Sequence, residues 1–462
     1  MVIDLFAMHC RRQWGRCASF ATGFCDRVIS LDHTQASLAL LRKCTGVCKV
    51  LHLFKSLPEP YLDGLASEVD AVITDCCQRI MGFPFTETMM LQLSLPVRLG
   101  GLGIPSAQRL APVASLVGGM DFWKFGLVRP AVPDTLLATS AVWFPVSLLE
   151  KVCKYVPAAC AIPRLWLANH QMPPETSPRH LKLVWWSTQV ALMQHQELQA
   201  QSRGRDLVRL ECQKQPHVGL WLQAMPARTL WLEFTSAELR VLLKWWLGKE
   251  LISLPENDST TLCPFCSAPT DCYGDHFVCC KRVEFHSRHL AVVSSLTKMM
   301  DASGLRVANE VTVSNKKSPA DIFVSHWSDN GPLAVDITVT HPLAPSLGMS
   351  VSAARSALEI KEQCKVQKSS DGSGICTEVG LEFAPFALST FGELGRRASD
   401  ILSTVVDLYA AKHDLLRSLA AFRLRQLIQV ALMRSVAKRL LIACQAKGEG
   451  EGSPASRLLL ET

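Results

Sequence analysis

Five cysteines and one histidine lie within 18 consecutive residues, in the stretch CPFCSAPTDCYGDHFVCC from Cys263 to Cys280. This stretch has few large apolar side chains, and a loop of that kind can build little hydrophobic core of its own. Small segments of this composition are commonly held in one shape by a metal ion, whose binding free energy is then folding free energy. The sequence therefore predicts a metal-held loop at this point of the chain.

The spacing within the loop predicts four zinc ligands in two pairs. Cys263 and Cys266 form a Cys-x-x-Cys pair, and His276 and Cys280 form a second pair four residues apart. A close pair on a tight turn supplies two ligands at once, and two such pairs complete the tetrahedral set of a structural zinc site. A site with four protein ligands is closed, so we expect the zinc to be structural.

Two other cysteines of the loop leave alternatives open. Cys279 is a rival to Cys280 as the fourth ligand, and Cys272 is interpreted as a bystander. The alternative to a metal site is a cluster of buried free cysteines, because free cysteine is among the most buried residue types.

Composition limits the class of protein. A chain of 462 residues is long enough for about three domains, and 48% hydrophobic with 19% charged residues is typical of globular proteins. We find no long apolar run and no signal peptide, so we expect neither a membrane span nor secretion. The remaining cysteines are scattered, which indicates buried thiols in a reducing compartment. The net charge of +7 permits a polyanionic partner.

The part of the chain before the cysteine loop is predicted to be helical. Residues 1–118 form a helical region, and residues 119–255 form a mainly helical linker domain. Within the latter, Thr235 and Glu238 have the spacing of a capping box, and Gly248 ends the helix that they begin. The tryptophans of that helix recur at helical spacing, which favours core packing over stacking on nucleic-acid bases.

Residues 256–285 contain the zinc loop, and the pattern changes after it. Over 286–400 the predicted order is helix, three strands, helix and strand. A C-terminal helix over 401–446 and a polar tail over 447–462, expected to be disordered, complete the chain. The fold class predicted from this order is α+β, with helices on either side of a small sheet domain.

Three carboxylates occupy predicted strands of the sheet domain. Asp321 in SPADIF and Asp336 in LAVDITV are flanked by apolar residues, and Glu310 lies in the strand before them. A buried carboxylate is costly unless it binds a cation or pairs with a base. Adjacent strands bring such groups together, and Mg²⁺ prefers oxygen ligands. The alternative is that both aspartates cap turns at the ends of their strands.

The segment from Cys263 to about Gly395 resembles the restriction-like endonuclease of site-specific non-LTR retrotransposons. That domain has a CCHC knuckle, an Arg-His pair and a nuclease core of the PD-(D/E)XK type. The matching features of this sequence are CPFC…GDHFVC, the Arg288-His289 pair in HSRHL, Asp321 in PAD and Asp336 in VDITVTHP.

The resemblance extends upstream. LRKCTGVCKVLHLFKSLP and LPVRLGGLGIPSAQRLAPVASL look like the helical thumb or connection region that follows the reverse-transcriptase palm in such elements. Nearly the whole chain is covered, but the palm and fingers motifs are absent from the sequence. The chain is therefore interpreted as a C-terminal part of a retroelement polyprotein.

The resemblance implies an αβββαβ nuclease core in which Asp321 and Asp336 hold Mg²⁺, with Glu310 as a possible assistant. Thr338 stands where the family signature expects a lysine. In these retroelements the lysine is taken to come from the following helix, where Lys361, or failing it Lys365, is available.

The function expected from these features is Mg²⁺-dependent nicking of DNA, which in a complete element exposes a 3′ hydroxyl for target-primed reverse transcription. The expected partners are DNA and, as a further candidate, the element's RNA, with no membrane and with a nuclear location. Arg288 and His289, together with Lys316 and Lys317 beside the PAD motif, are the expected nucleic-acid contacts.

A second function remains open at this point. Leu290 and Val366 depart from the residues that the family has at these positions. The alternative is therefore a catalytically decayed or repurposed protein that binds nucleic acid through its zinc knuckle and basic surface alone.

Overall fold

The positions of the helices and strands come from a computed structural model of the chain. The structure divides the chain into two compact units. One unit comprises Met1–Pro96 and Gly101–Gln201, and the other comprises Val97–Gly100 and Ser202–Thr462. The unit boundary at residue 201 lies inside the predicted 119–255 linker domain. The described residues are 22–45, 47–56, 62–128, 148, 151–152, 182–252, 262–283, 285–311, 319–328, 331–367, 376 and 378–446.

All regular secondary structure among the described residues of the first unit is helical, as the sequence predicts for its N-terminal part. The longest amphipathic segment, Leu62–Met81, ends where Gly82 adopts a left-handed conformation with φ of 78°. After a helical segment over 22–29, the helices are α1 (Thr34–Leu40), α2 (Leu51–Ser56), α3 (Leu62–Met81), α4 (Glu87–Ser94), α5 (Ala107–Val128) and α6 (Leu183–Gln201).

The second unit combines helices with a small sheet, so the chain is mixed α/β and consistent with the predicted α+β class. Its strands are β1 (Val307–Asn309), β2 (Ile322–Ser328), β3 (Gly331–Thr340) and β4 (Glu382–Ser389). Its helices are α7 (Gly204–Gln213), α8 (Ser236–Trp246), α9 (Asp275–Cys279), α10 (Phe285–Ala302), α11 (Val351–Gln367), α12 (Arg396–Lys412) and α13 (Arg417–Ala446).

The predicted order of helix, three strands, helix and strand is confirmed by α10, β1, β2, β3, α11 and β4. The four strands form one sheet in the order β1-β2-β3-β4. The first three strands pair antiparallel, whereas β4 runs parallel to β3 because α11 carries the chain back across the sheet.

The two faces of the sheet have different neighbours. Val335 and Ile337 of β3 face a large core that includes side chains from α10, α12 and α13. Successive strand residues point to opposite faces, so Ala334 and Asp336 face the other side. There Ala334 packs with Phe323 in a smaller apolar cluster. Helix α11 lies on this second side, since its Lys365 reaches Asp336.

The capping box predicted at the start of α8 is present. The Thr235 side chain accepts a hydrogen bond from the backbone of Glu238, whose carboxylate accepts one from the backbone of Thr235. Trp245 and Trp246 of this helix are fully buried, which confirms their interpretation as core residues.

The stretch predicted as a single C-terminal helix, 401–446, contains a break and spans parts of two helices, α12 and α13. The chain turns at Asp414, whose φ of 50° is left-handed and ends the first helix. Aspartate is among the few side chains that tolerate this conformation. In the described part of the chain, no helix has both the length and the apolar character needed to span a bilayer.

Candidate metal centre and acidic site

The four predicted zinc ligands converge on one point. Cys263, Cys266, His276 and Cys280 each offer one ligand atom, and these atoms all lie within 4.8 Å of one another. Cys266 Sγ is 3.3 Å from His276 Nε2. Three of the four side chains are buried and Cys266 is exposed. A set of three thiols and one imidazole is a tetrahedral donor set that zinc favours.

A short hairpin places the first pair of ligands. The backbone N–H of Cys263 donates to the carbonyl of Ala268, and the N–H of Ser267 donates back to the carbonyl of Cys263, both at 2.8 Å. Ser267 adopts a left-handed φ of 59° to close the turn. Leu262 and Pro269 form a bridge at the open end of this hairpin. The turn thus holds both thiols on one side.

A one-and-a-half-turn helix, α9, presents the second pair. Asp271 organises its start: one carboxylate oxygen accepts the N–H groups of Tyr273 and Asp275, and the other accepts the N–H of His276 at 2.7 Å. A carboxylate at a helix N-terminus satisfies free N–H groups and complements the helix dipole. Asp271 therefore fixes the backbone from which the His276 ring projects.

The rival cysteines point elsewhere. The Cys279 thiol donates to the carbonyl of His276 at 3.3 Å, and burial raises its pKa to about 11. Burial likewise raises the pKa of Cys272 to about 11. Neither thiol belongs to the group of ligand atoms that lie within 4.8 Å of one another, whereas the Cys280 thiol does. The choice of Cys280 over Cys279 is thus the one that the geometry favours.

The pKa values of the cluster members shift in different directions. Burial lowers the pKa of His276, which keeps the imidazole neutral and its lone pair free. A hydrogen bond from the backbone of Ala268 lowers the pKa of Cys266, which favours the thiolate, whereas burial raises the pKa of Cys280, whose proton a bound cation would displace. Metal ligands must be deprotonated, so the cluster can bind a metal ion such as zinc.

Two buried guanidinium groups hold the end of α9. Arg288 of α10 and Arg439 of α13 each donate to the carbonyl of Val278 at 2.6 Å. Arg288 is 4% exposed and Arg439 is fully buried. Burial and the neighbouring charge of Arg439 lower the pKa of Arg288 to about 10. Arg288 was expected to contact nucleic acid. Its guanidinium instead lies in the interior and anchors the cysteine-rich loop of residues 263–280, called the metal loop below.

A buried network joins the metal loop to the sheet. Asp275, the residue before ligand His276, accepts hydrogen bonds from Arg205 at 2.5 and 3.2 Å and from the Trp245 indole at 2.8 Å. His341, at the end of β3, places Nε2 3.5 Å from the same carboxylate. His341 Nδ1 is 2.7 Å from the hydroxyl of Thr390.

The charge on Asp275 is kept in the interior by these partners. Burial opposes ionisation, but His341 and Arg205 outweigh it and hold the pKa of Asp275 well below its usual range. Asp275 is 1% exposed. A buried charge of this kind is maintained only with complete pairing, so α9 and the end of β3 are held at a fixed spacing.

The acidic site lies where β2 begins. Ile322 pairs with Val335 in the antiparallel ladder, so the same register places Asp321 opposite Asp336. Residues directly opposite each other in such a ladder project to the same face. Asp321 also uses its carboxylate as a ladder acceptor, because the N–H of Ile337 donates to Oδ2 at 2.7 Å.

The two aspartates differ in their surroundings. Asp321 is half-buried, and hydrogen bonds from His289 and from the Ile337 N–H outweigh the effect of burial and lower its pKa. Burial raises the pKa of Asp336, and the charge of Asp321 adds to this effect. The carboxylates therefore act on each other, as expected for neighbouring acids of like charge.

Lys365 of α11 reaches the site, with Nζ 2.6 Å from Asp336 Oδ2. Lys361, the first candidate from the sequence, lies one turn earlier on the same helix and is exposed. The two lysines are four positions apart and project from the same face of α11, so the position along the helix axis decides which of them meets Asp336. Glu362 ties this helix to α12, because its carboxylate accepts the N–H of Arg397 at 3.1 Å.

His289 also belongs to the acidic site. Its Nε2 is 2.9 Å from Asp321 Oδ1, and its side chain remains 30% exposed. The sequence analysis predicts that His289 contacts nucleic acid. The structure adds a direct contact between His289 and Asp321, a predicted metal ligand. The site thus contains two carboxylates, an ammonium group and an imidazole from β2, β3, α11 and α10.

The remaining predicted residues are not part of this cluster. Glu310 is exposed with a left-handed φ of 50°. Its N–H donates to the carbonyl of Asp321 at 3.1 Å, but its carboxylate makes no hydrogen bond or ion pair with the described residues. Lys316 and Lys317 lie outside the described residues.

Sequence reasoning missed Asp275, His341, Arg205 and Arg439. His341 directly follows the VDITVT strand, which carries Asp336. Its position after this strand could have marked it as a candidate site residue. Asp275 resembles an ordinary first-turn acid of a helix, and the two arginines resemble solvated helix residues. Their roles depend on partners far away in the chain.

Comparisons with known proteins do not assign the chain to a family. No protein-family model matches the sequence, and none of the curated proteins compared with it is similar. The functional argument therefore rests on the geometry of the site.

Proposed function

We propose that the chain is a metal-dependent nuclease that nicks DNA, of the type found in non-LTR retroelements. The observation that carries the proposal is the meeting of Asp321, Asp336 and Lys365 on adjacent elements of an αβββαβ arrangement. Two acids on neighbouring strands with a lysine beside them are the functional groups of the PD-(D/E)XK signature. Here the lysine comes from the helix after the third strand.

The carboxylates fit a hard divalent cation such as Mg²⁺. Asp321 and Asp336 offer oxygen atoms on one face of the sheet, and Mg²⁺ is bound in proteins by one or two carboxylates together with waters and substrate phosphates. When bound, such an ion lowers the pKa of a water and stabilises charge on the phosphate. The raised pKa of Asp336 has burial as its largest cause, and an added positive charge would favour the ionised form.

The other groups have separate roles in this proposal. Lys365 carries a positive charge that can stabilise the extra negative charge of the phosphodiester transition state. His289 contacts Asp321 Oδ1 at 2.9 Å and the N–H of Ile337 donates to Oδ2 at 2.7 Å, and together these contacts fix the plane of the carboxylate. His289 is partly exposed, so it can also contact the phosphate backbone beside the cut.

The zinc cluster is proposed to be structural. Cys263, Cys266, His276 and Cys280 provide four protein ligands, which leaves no position for a substrate. The metal loop is anchored to α10, which also carries His289, through the contact between Arg288 and Val278. Zinc in this loop would therefore stabilise the position of α10 beside the acidic site.

A plasmid-nicking assay tests the proposal. Supercoiled plasmid should be converted to the open circle by the full chain with Mg²⁺, and chelation should abolish conversion. Asp336→Asn keeps the shape of the side chain but removes a ligand charge, so we expect a loss of at least about 100-fold. Asp407→Asn, an exposed exchange of the same kind on α12, is the matched control.

The alternative function is an outcome of the same experiment. A chain that binds DNA in a retardation assay but never nicks it with Mg²⁺ or Mn²⁺ would be a nucleic-acid-binding zinc-loop protein. Equal nicking by the parent and by Asp336→Asn would instead exclude the acidic site as the source of the activity.

A further inference from the structure

A cavity of about 370 Å³ lies within the second unit, away from the residues assigned to metal binding. It is lined by the turn after α7, the connection between β4 and α12, and one side of α13. A volume of this size is at the lower end of the range for pockets that bind small organic ligands. Three of its lining side chains are apolar: Pro216, Leu394 and Ile428.

An uncompensated carboxylate lines the cavity. Glu393 has no hydrogen-bond or ion-pair partner for its carboxylate among the described residues, although its backbone pairs with Ser389. Burial raises the pKa of Glu393 to about 7. A desolvated carboxylate without donors is unfavourable, so a ligand that brings N–H groups to it would gain from their pairing.

An uncompensated cation lines the same cavity. The Nε of Arg425 is buried and finds no hydrogen-bond partner within the part of the chain that the structure describes. Burial and the charge of Arg417 lower the pKa of Arg425. No ion pair joins Arg425 to Glu393 among the described residues, so both charges of the cavity are left for a ligand.

The walls are held in place by Gln429. Its amide donates to the carbonyls of His217 and Gly392 at 2.7 and 3.2 Å, and its oxygen accepts the N–H of Trp221 at 3.2 Å. Gly392 has a left-handed φ of 94°, and an added Cβ would come within 2.9 Å of the Gln429 side chain. The cavity is therefore preformed, which lowers the entropic cost of binding.

We propose that this cavity binds a guanine nucleotide, with its phosphate on Arg425 and its base edge on Glu393. Arginine is suited to phosphate because its guanidinium offers several N–H donors in one plane. Guanine presents two adjacent N–H donors, which match the two oxygens of a carboxylate. The apolar side chains of Leu394 and Ile428 provide surfaces for the flat base.

The size and the two charged groups of the cavity favour a nucleotide over an amino acid or inorganic phosphate. A free amino acid also carries a cation and an anion, but it would leave most of a 370 Å³ cavity unfilled. Inorganic phosphate would satisfy Arg425 and leave Glu393 uncompensated. Free guanosine monophosphate and a 5′-terminal guanosine of a strand share the recognised groups, and the probes below separate these sources.

Titration calorimetry of the full chain tests the proposal, at pH 8 and without added metal so that the result is independent of nicking. The probes are guanosine monophosphate, adenosine monophosphate, inorganic phosphate, glutamine and a 5′-phosphorylated trinucleotide that begins with guanosine. We expect guanosine monophosphate to bind at least about tenfold more tightly than adenosine monophosphate, because charged hydrogen bonds are lost with adenine. Tighter binding of the trinucleotide would identify a strand end as the source.

Two variants and one control locate the binding. Glu393→Gln should weaken the binding of guanosine monophosphate at least about tenfold and leave the binding of adenosine monophosphate nearly unchanged. Arg425→Gln should weaken the binding of both nucleotides. Arg423→Gln, an exposed exchange two residues away on α13, should change neither. Far-ultraviolet circular dichroism checks that each variant is folded. Absence of nucleotide binding by the parent chain, binding of glutamine alone, or equal affinities in the parent and both cavity variants would overturn the proposal.

Discussion

Lys365 Nζ lies 2.6 Å from Asp336 Oδ2, and it is the contact that joins α11 to the acidic face of β3. Asp336 is the more buried partner, with a side chain 17% exposed against 35% for Lys365. Burial already raises the pKa of Asp336, so this carboxylate can become neutral by taking up a proton when the lysine is removed.

Exchange of this lysine should therefore reduce nicking without unfolding the protein. We expect Lys365→Met to lower the rate of Mg²⁺-dependent nicking by about 100-fold, because a positive charge beside the phosphate is removed. Lys361→Met, an identical exchange one helical turn earlier, should retain nearly the full rate. Rates are measured on supercoiled plasmid under single-turnover conditions. A larger loss in the Lys361 variant would mean that Lys361, and not Lys365, acts on the phosphate.

Zinc content should separate the two adjacent cysteines at the end of α9. Cys280→Ala removes a member of the cluster, so the purified chain should lose most of its zinc. Cys279→Ala removes a thiol that donates to the carbonyl of His276, so one equivalent of zinc should remain. Plasma mass spectrometry gives the metal content of both variants. Zinc retained by the first and lost by the second would reverse the assignment of the ligand.

The buried charge of Asp275 should be costly to remove. Asp275→Asn removes the closer and more buried of the two carboxylates that pair with the Arg205 guanidinium, the other being Asp206 at 3.2 Å, and breaking a buried pair typically costs about 3–5 kcal/mol. We expect the urea midpoint of the zinc-loaded chain to fall accordingly. The same exchange at Asp407, whose pair with Arg417 is exposed, should change the free energy of unfolding by less than about 1 kcal/mol. Equal effects at the two positions would show that the network contributes no more than a surface pair.

Stability should decrease as the pH rises because of Glu393. Burial raises its pKa from 4.5 in the unfolded chain to about 7 in the folded one, so the folded chain binds this proton more tightly. Its contribution is complete below about pH 4.5 and is lost as the pH rises through 7. At about 1.4 kcal/mol per unit the whole effect is on the order of 3 kcal/mol.

Glu393→Gln removes this titration, so the variant should lose less stability than the parent between pH 5 and pH 8. Urea unfolding of both chains at the two pH values measures the difference. Glu359→Gln, at an exposed position of α11, serves as the control and should follow the parent. Parallel pH curves for the parent and Glu393→Gln would contradict the expectation.

Local patterns account for much of the fold and of the metal cluster. The alternation of apolar residues predicts β2 and β3, the capping box predicts the start of α8, and the paired spacing predicts the four members of the cluster. Each of these depends on neighbours within about a dozen residues, and such short-range constraints can be read from the order of side chains.

Long-range constraints could not be predicted in this way. The choice of Lys365 over Lys361 depends on which turn of α11 lies beside Asp336, a contact between residues 29 positions apart. Arg205 and Asp275 are 70 positions apart. At the level of the sequence each of these residues fits an ordinary helix, and only the packing of separate helices assigns its partner.

The carbonyl of Val278 joins parts of the chain that leave the ribosome at different times. Arg439 lies 161 residues after Val278, and synthesis of that many residues takes about 8–30 s at ordinary translation rates. During this interval Arg288 is available to the metal loop, but α13 is not. The metal loop is thus synthesised well before one of the two buried guanidinium groups that hold the carbonyl of Val278, and its contact with α13 can form only after the chain has been made as far as Arg439.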